Sequence, residues 1–170
     1  KNPTGFDAIG RGVRNVIFLI GDGMGAGQVA VTRLKAASFD GKLYIERMPV
    51  IGQIYTHSAS SIVTDSAAAA TAMACGIKTN NEMIGMGPDR TPWQSSLEAA
   101  VAKGMKTGLV VTSAITHATP ASFGSHVESR DMEPKIAEHL LANQFNVMFG
   151  GGKAFWMPRS TKGSKRKDDL

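Results

Sequence analysis

Asp22 stands between Gly21 and Gly23, directly after the apolar run Val16-Ile17-Phe18-Leu19-Ile20. Open α/β sheets bind ligands at the carboxyl ends of their strands, and a carboxylate there can serve as an oxygen ligand for a hard or borderline metal ion. The plain alternative is a turn-forming Asp between two glycines. Ser66 falls in Thr64-Asp65-Ser66-Ala67-Ala68-Ala69-Ala70-Thr71-Ala72, at the start of an expected helix. Backbone N–H groups at such a start favour an anion such as phosphate, and small alanines allow close approach. Its alternative is an ordinary N-cap serine. A serine hydroxyl also needs a base or a metal to become a good nucleophile. His117-Ala118-Thr119-Pro120 adds oxygen and nitrogen donors after a second apolar strand, although a loop shaped by Pro120 has the same composition. Arg130, in Val127-Glu128-Ser129-Arg130-Asp131, offers a guanidinium fork that suits two phosphate oxygens, or a surface ion pair with Glu128 or Asp131.

Rival chemistries are weaker. Gly21-Asp22-Gly23-Met24-Gly25-Ala26 fits the spacing of a dinucleotide-binding glycine loop, with Asp40 about 20 residues on from it. Such a nucleotide-binding module is the reading from another class. The charge of Asp22 would oppose a pyrophosphate, and Asp40 follows Ala37-Ser38-Phe39 rather than an apolar strand. No G-x-S-x-G elbow surrounds Ser66, which argues against a hydrolase triad. His57, His126 and His139 share no metal-ligand spacing and read as structural or exposed. Cys75 is the sole cysteine, so no disulfide can form within the chain, and its Ala-rich setting suggests a small buried side chain.

The elements that position these residues alternate. Strands are expected at Val16–Ile20, Val50–Tyr55, Lys106–Thr112 and Val147–Phe149. The first and third are apolar enough to be buried on both faces. Helices are expected from Ala26 to Ala37, from Ala67 to Ala74 with a stop at Gly76, from Leu97 to Lys103, and from Pro134 to Leu141. Ser95-Ser96-Leu97-Glu98 is a capping box, and Pro134 suits a first helical turn. The pattern implies an α/β fold with a mainly parallel central sheet flanked by helices.

The 170 residues, 42% apolar and 19% charged, have the composition of a globular domain with a real core. Net charge is +5, but Arg159, Lys162, Lys165, Arg166 and Lys167 against Asp168 and Asp169 place +3 of it after residue 158. A tail effect of that kind is poor support for a nucleic-acid partner, and a solvated loop is expected there. No apolar run approaches the roughly 18 residues of a membrane helix, and the opening Lys1-Asn2-Pro3-Thr4-Gly5 has no apolar signal core.

Taken in order, four blocks resemble the alkaline phosphatase family: Asn15-Val16-Ile17 to Gly21-Asp22-Gly23-Met24-Gly25; Thr64-Asp65-Ser66-Ala67-Ala68; Ala118-Thr119-Pro120-Ala121; and His126-Val127-Glu128-Ser129-Arg130. Gly150-Gly151-Gly152 is similar to the family's Gly-rich segment after a strand. The resemblance implies hydrolysis of phosphate monoesters through a phosphoserine, or the chemistry of a related phosphotransferase or phosphodiesterase. It implies that Ser66 is the nucleophile, that Arg130 holds phosphate oxygens, and that Asp22 and Thr119 are metal ligands. His117 occupies a place where some members carry Asp. The implied cofactors are two Zn2+ ions and one Mg2+ ion. The implied partners are small phosphate monoesters, inorganic phosphate and a second copy of the chain, with no nucleic acid and no membrane. The implied location is periplasmic or secreted. On this reading residues 1–14 are a lead-in, 15–158 are the N-terminal part of an α/β domain, and 159–170 are a polar basic loop beyond which the domain continues. The 170-residue piece, lacking most of the implied zinc ligands, is expected to be inactive alone.

Overall fold

Caps decide where the helices begin and end. In a computed structural model, which describes residues 13–169, Ala26–Ala37 forms α1, Ser66–Cys75 α2, Ser96–Ala102 α3, Ala118–Ala121 the single-turn α4 and Glu133–Ala142 α5. Ser95 caps α3 as expected: its Oγ accepts from the Glu98 amide at 3.1 Å while Glu98 Oε2 accepts from the Ser95 amide at 2.8 Å. Gly76 ends α2 in the left-handed region, φ +73°, where its amide donates to the Ala72 carbonyl. Two strands, β1 (Gly108–Ala114) and β2 (Val147–Gly151), run parallel with Gly108 opposite Val147 and Val110 opposite Phe149. A parallel pair needs a crossover, and α4 and α5 supply it. The chain divides into two compact units, 1–48 and 49–170.

In the described part of the first unit, α1 is followed by a 3-10 turn, Tyr44–Arg47, and Arg33 pairs with Glu46 at 2.8 Å. The expected strand Val16–Ile20 is not formed: Val16, Ile17 and Leu19 are at least 80% exposed and no strand is assigned there. The same holds in the second unit for Val50–Tyr55, where Val50, Ile51, Ile54 and Tyr55 are exposed. An apolar run makes a strand only when a neighbouring strand takes up its amides and carbonyls, and sequence pattern does not supply that neighbour. The expected lead-in, residues 1–14, falls almost wholly outside the described residues.

The core of the second unit is built from small residues and a few large ones. One side of α2 buries Ala67, Ala68, Ala70, Thr71 and Ala74, and α4 packs on it through Ala118 and Ala121. Ile84, Ile136 and Leu140 are fully buried, each contributing about 1.5–3 kcal/mol. In β1, Leu109 is buried while Val110 is 71% exposed, so one face of an apolar strand stands uncovered. The loop from Arg159 on is mostly exposed as expected, with Arg166 the exception. Arg166 is buried, donates to the carbonyls of Pro134 and Phe155, and pairs with Glu138 at 3.0 Å and Asp168 at 2.6 Å. That cluster ties the loop to α5.

Residues 82–87 and 125–130 run alongside each other. Ile84 and Val127 exchange both backbone hydrogen bonds at 3.0 Å, and the Arg130 amide donates to the Glu82 carbonyl at 2.8 Å. Gly85 sits in this ladder at φ +62°, where a Cβ would meet the Ser125 carbonyl oxygen at 2.1 Å and His126 Nδ1 at 2.6 Å. Gly85→Ala should therefore destabilise the protein by about 2–4 kcal/mol, from left-handed strain plus a clash with fixed backbone. Urea unfolding checks this, and an unchanged midpoint would show that the ladder is not as tight as described.

Candidate active site

Asp65, not Ser66, is the N-cap of α2. Its Oδ1 accepts from the Ala68 amide at 2.9 Å, and its Oδ2 accepts from the Glu82 amide at 2.9 Å. Ser66 is thereby the first residue inside the helix, partly exposed, with its hydroxyl not required as the cap. Arg130 donates through Nη1 to Asp65 Oδ2 at 3.3 Å and through Nη2 to His117 Nε2 at 3.3 Å. The guanidinium is about a quarter exposed. One carboxylate thus serves both the helix start and the arginine, which brings the Arg130 fork to the end of α2 that carries Ser66. A cation beside a helix N-terminus is an anion-attracting arrangement: both offer N–H donors and positive charge.

His117 is the N-cap residue of α4, and Thr119 lies within that turn, two residues on. The preceding Thr116 is fully buried and donates from Oγ1 to Glu133 Oε2 at 2.5 Å, which fixes the approach of the β1–α4 connection to α5. Ser66, Arg130, His117 and Thr119 therefore all belong to one unit. Asp22 belongs to the other. It is exposed in the turn before α1, where the Met24 amide donates to the Gly21 carbonyl at 3.1 Å.

Whether these donors suit metal ions follows from their chemistry. A carboxylate and a threonine hydroxyl are hard oxygen donors, which fit a magnesium-type site. Zinc takes about four nitrogen, oxygen or sulfur ligands, and among the described residues no group of three or more His, Cys, Asp or Glu is placed to hold a metal. Asp22 and Thr119 each offer one hard oxygen donor, in different units, and the described residues do not by themselves assemble a zinc site.

Two features escaped the sequence reading. The sequence offered Ser66 as the N-cap, and neither the capping role of Asp65 nor its grip on Arg130, 65 positions away, was foreseen. His126 is half-buried and paired with Glu98 at 2.9 Å, more specific than a merely structural or exposed histidine. The pair borders a cavity of about 440 Å³ that Trp93, Val101 and Asn143 also line. Cys75 is only partly buried, where a buried side chain was expected. Its thiol donates to the Trp93 carbonyl, and burial together with the charge of Glu98 pushes its pKa up to about 11, which keeps it from acting as a thiolate. The glycine loop lacks the preceding strand that a dinucleotide site needs, and Asp40 lies in a turn.

The family model described as "Alkaline phosphatase" matches residues 13–169. An alkaline phosphatase of Schizosaccharomyces pombe is 42% identical over 164 residues, covering 91% of this chain and 31% of that protein. The structure of alkaline phosphatase from the Antarctic bacterium TAB5 superposes with a TM-score of 0.76 at 40% identity, over 85% of this chain and 41% of that one. A histidine-to-glutamate variant of the TAB5 enzyme, with Mg bound in its M3 site, matches with the same TM-score at 39% identity, over 85% of this chain and 40% of that one. The chain spans about a third of the length of the curated relatives it matches.

Proposed function

The chain belongs to the alkaline phosphatase family, and from that premise we propose that it carries the nucleophile and the phosphate-holding arginine of a metal-dependent phosphomonoesterase. The observation that carries the reading is the Asp65 carboxylate, which both caps the helix beginning at Ser66 and holds Arg130 beside it. A phosphate monoester entering there meets a guanidinium fork and a helix N-terminus, both suited to its nonbridging oxygens. Ser66 Oγ forms a bond to phosphorus as the ester P–O bond breaks and the alcohol departs, leaving a phosphoserine that water then hydrolyses. His117 and Asp65 hold the Arg130 fork from two sides, so the group waits in place rather than being ordered by the substrate.

Asp22 and Thr119 are the residues of this chain proposed to bind metal, within a set of two Zn2+ and one Mg2+ to which other ligands contribute. Bound metal ions supply Lewis acidity, lowering the pKa of a hydroxyl and offsetting charge on phosphoryl oxygens. The proposal includes a homodimer located in the periplasm or outside the cell, acting on small monoesters. It takes residues 15–158 as the N-terminal part of an α/β domain, with 159–170 as a polar basic loop. No helix among the described residues is long and apolar enough to cross a membrane.

Arg130→Ala tests the reading. Loss of a charge-assisted two-point contact should weaken inhibition by inorganic phosphate by about 1.5–3 kcal/mol, roughly ten- to a hundredfold, while turnover persists at high substrate. Phosphate inhibition titrations on the intact, metal-loaded enzyme decide it; an unchanged inhibition constant would remove Arg130 from the phosphate site.

A further inference from the structure

His126 makes two hydrogen bonds through its ring, both to oxygens. Nδ1 lies 2.7 Å from the Gly85 carbonyl and Nε2 lies 2.9 Å from Glu98 Oε1. A carbonyl and a carboxylate only accept, so both ring nitrogens must carry a proton and the ring is an imidazolium. Each contact leads to a different part of the second unit. The Gly85 amide donates to Thr71 Oγ1 of α2 at 2.9 Å, which links the ring to the Ser66 helix. Glu98 Oε2 accepts from the Ser95 amide at 2.8 Å, which links it to the start of α3. The backbone amide of His126 donates to His139 Nδ1 of α5 at 3.3 Å, and Ser125 Oγ donates to the same nitrogen at 3.1 Å. Four residues later the same segment ends at Arg130, whose amide is tied to Glu82.

Resting on the reading of Arg130 as the phosphate-holding group, we propose that the His126 imidazolium, clamped between Gly85 and Glu98, is a positioning residue that sets where the Arg130 guanidinium stands. It pins one end of the 126–130 segment to α2, α3 and α5 while the other end presents the arginine. Mechanically the two ends are coupled by the Ile84–Val127 exchange between them.

The charged and titratable groups around the ring agree with its being protonated. The hydrogen bond to Glu98 raises the His126 pKa above its ordinary 6.5, burial opposes this, and the Gly85 carbonyl adds to the rise. Burial opposes ionisation of Glu98, yet hydrogen bonds from His126 and Ser95 leave its pKa below the ordinary 4.5. On α5, burial pushes His139 down, followed by repulsion from Lys135 and His126, so that ring stays a neutral acceptor. Cys75 on α2 stays a thiol near Glu98. The sign follows from these directions. The raised His126 value gives a contribution complete below pH 6.5 and lost as pH rises through the folded value. The lowered Glu98 value gives a contribution present above pH 4.5 and lost as pH falls through the folded value.

The test has two arms on the intact, metal-loaded enzyme. Nitrogen NMR of the His126 ring reads its protonation directly: an imidazolium persisting above pH 6.5 is expected, and a neutral ring at that pH overturns the clamp whatever the enzyme does. The second arm is a double-mutant cycle read by phosphate inhibition. His126→Ala should weaken phosphate inhibition by about five- to tenfold in the parent, with metal content unchanged, and by less than about twofold when Arg130→Ala is already present. Glu98→Gln, which removes the charge while keeping the shape, should give the same non-additivity if His126→Ala does not fold. Additive losses overturn the positioning role and leave the phosphatase reading intact. An Arg130→Ala variant with normal phosphate inhibition would overturn both.

Discussion

Ser66→Ala should abolish the acid-trappable phosphoenzyme and lower kcat by about a thousandfold or more, while metal content stays at its parent level. The magnitude follows from removing the covalent nucleophile. Arg130, held in place by Asp65, and the start of α2 would remain to bind phosphate, so inhibition by inorganic phosphate should change far less than kcat. Stability provides an independent check that the fold makes specific. Were Ser66 the N-cap, replacing it with Ala would cost about 1 kcal/mol. The cap is Asp65, and Ser66 is the first helical residue, where Ala is a good helix former. The unfolding midpoint should therefore hold within about 0.5 kcal/mol. Rapid acid quench with radioactive phosphate, alongside a denaturant melt, measures both; retained phosphoenzyme would end the assignment of Ser66.

Asp22→Ala should cost the enzyme bound metal as well as rate. A carboxylate is an anionic oxygen ligand that alanine cannot replace, and losing one lowers metal affinity by at least about a hundredfold. Activity should fall with the lost metal and recover in part when magnesium and zinc are supplied in excess. Elemental analysis of the purified variant provides a readout that does not pass through activity. A full metal complement would show that Asp22 is the turn residue its glycine neighbours also suggest. Asp22→Asn is the sharper variant, since it keeps the turn-forming side chain and removes only the charge.

How far these residues could be read beforehand depends on the range of the interactions that place them. Helix limits were legible because caps are local: Ser95 and Glu98 lie three positions apart, and Gly76 is needed by the turn it closes. The start of α1 at Ala26 was legible from the spacing of the apolar residues that follow the glycine turn, not from a capping side chain. Val16–Ile20 and Val50–Tyr55 have strand composition yet form no strand among the described residues, because a strand is defined by its neighbour. β1 and β2 do find each other, across the crossover that α4 and α5 make. In the site, Ser66 and Arg130 stood out by motif, whereas the Asp65–Arg130 and Glu98–His126 contacts join residues 65 and 28 positions apart. No periodicity encodes such pairs. Arg166 is the same lesson at the surface: a basic run looked solvated, but one guanidinium in it found two carboxylates and two carbonyls.

The alanine face of α2 has a mechanical consequence for the nucleophile. A helix whose buried side is almost all methyl groups presents a smooth cylinder, without the knobs that normally stop one helix from sliding past another. Its axial position is set instead by hydroxyls acting as bolts. Thr71 Oγ1 accepts from the Gly85 amide at 2.9 Å and donates to Ser122 Oγ at 3.3 Å, and Ser122 Oγ also reaches the Ala118 carbonyl at 2.9 Å. A displacement of one residue along the axis would move Ser66 by about 1.5 Å, enough to spoil an in-line attack. Beside the Asp65 contacts at the helix start, the register of the reaction thus rests on two buried hydroxyl groups, one of them five residues along the helix from the serine that reacts.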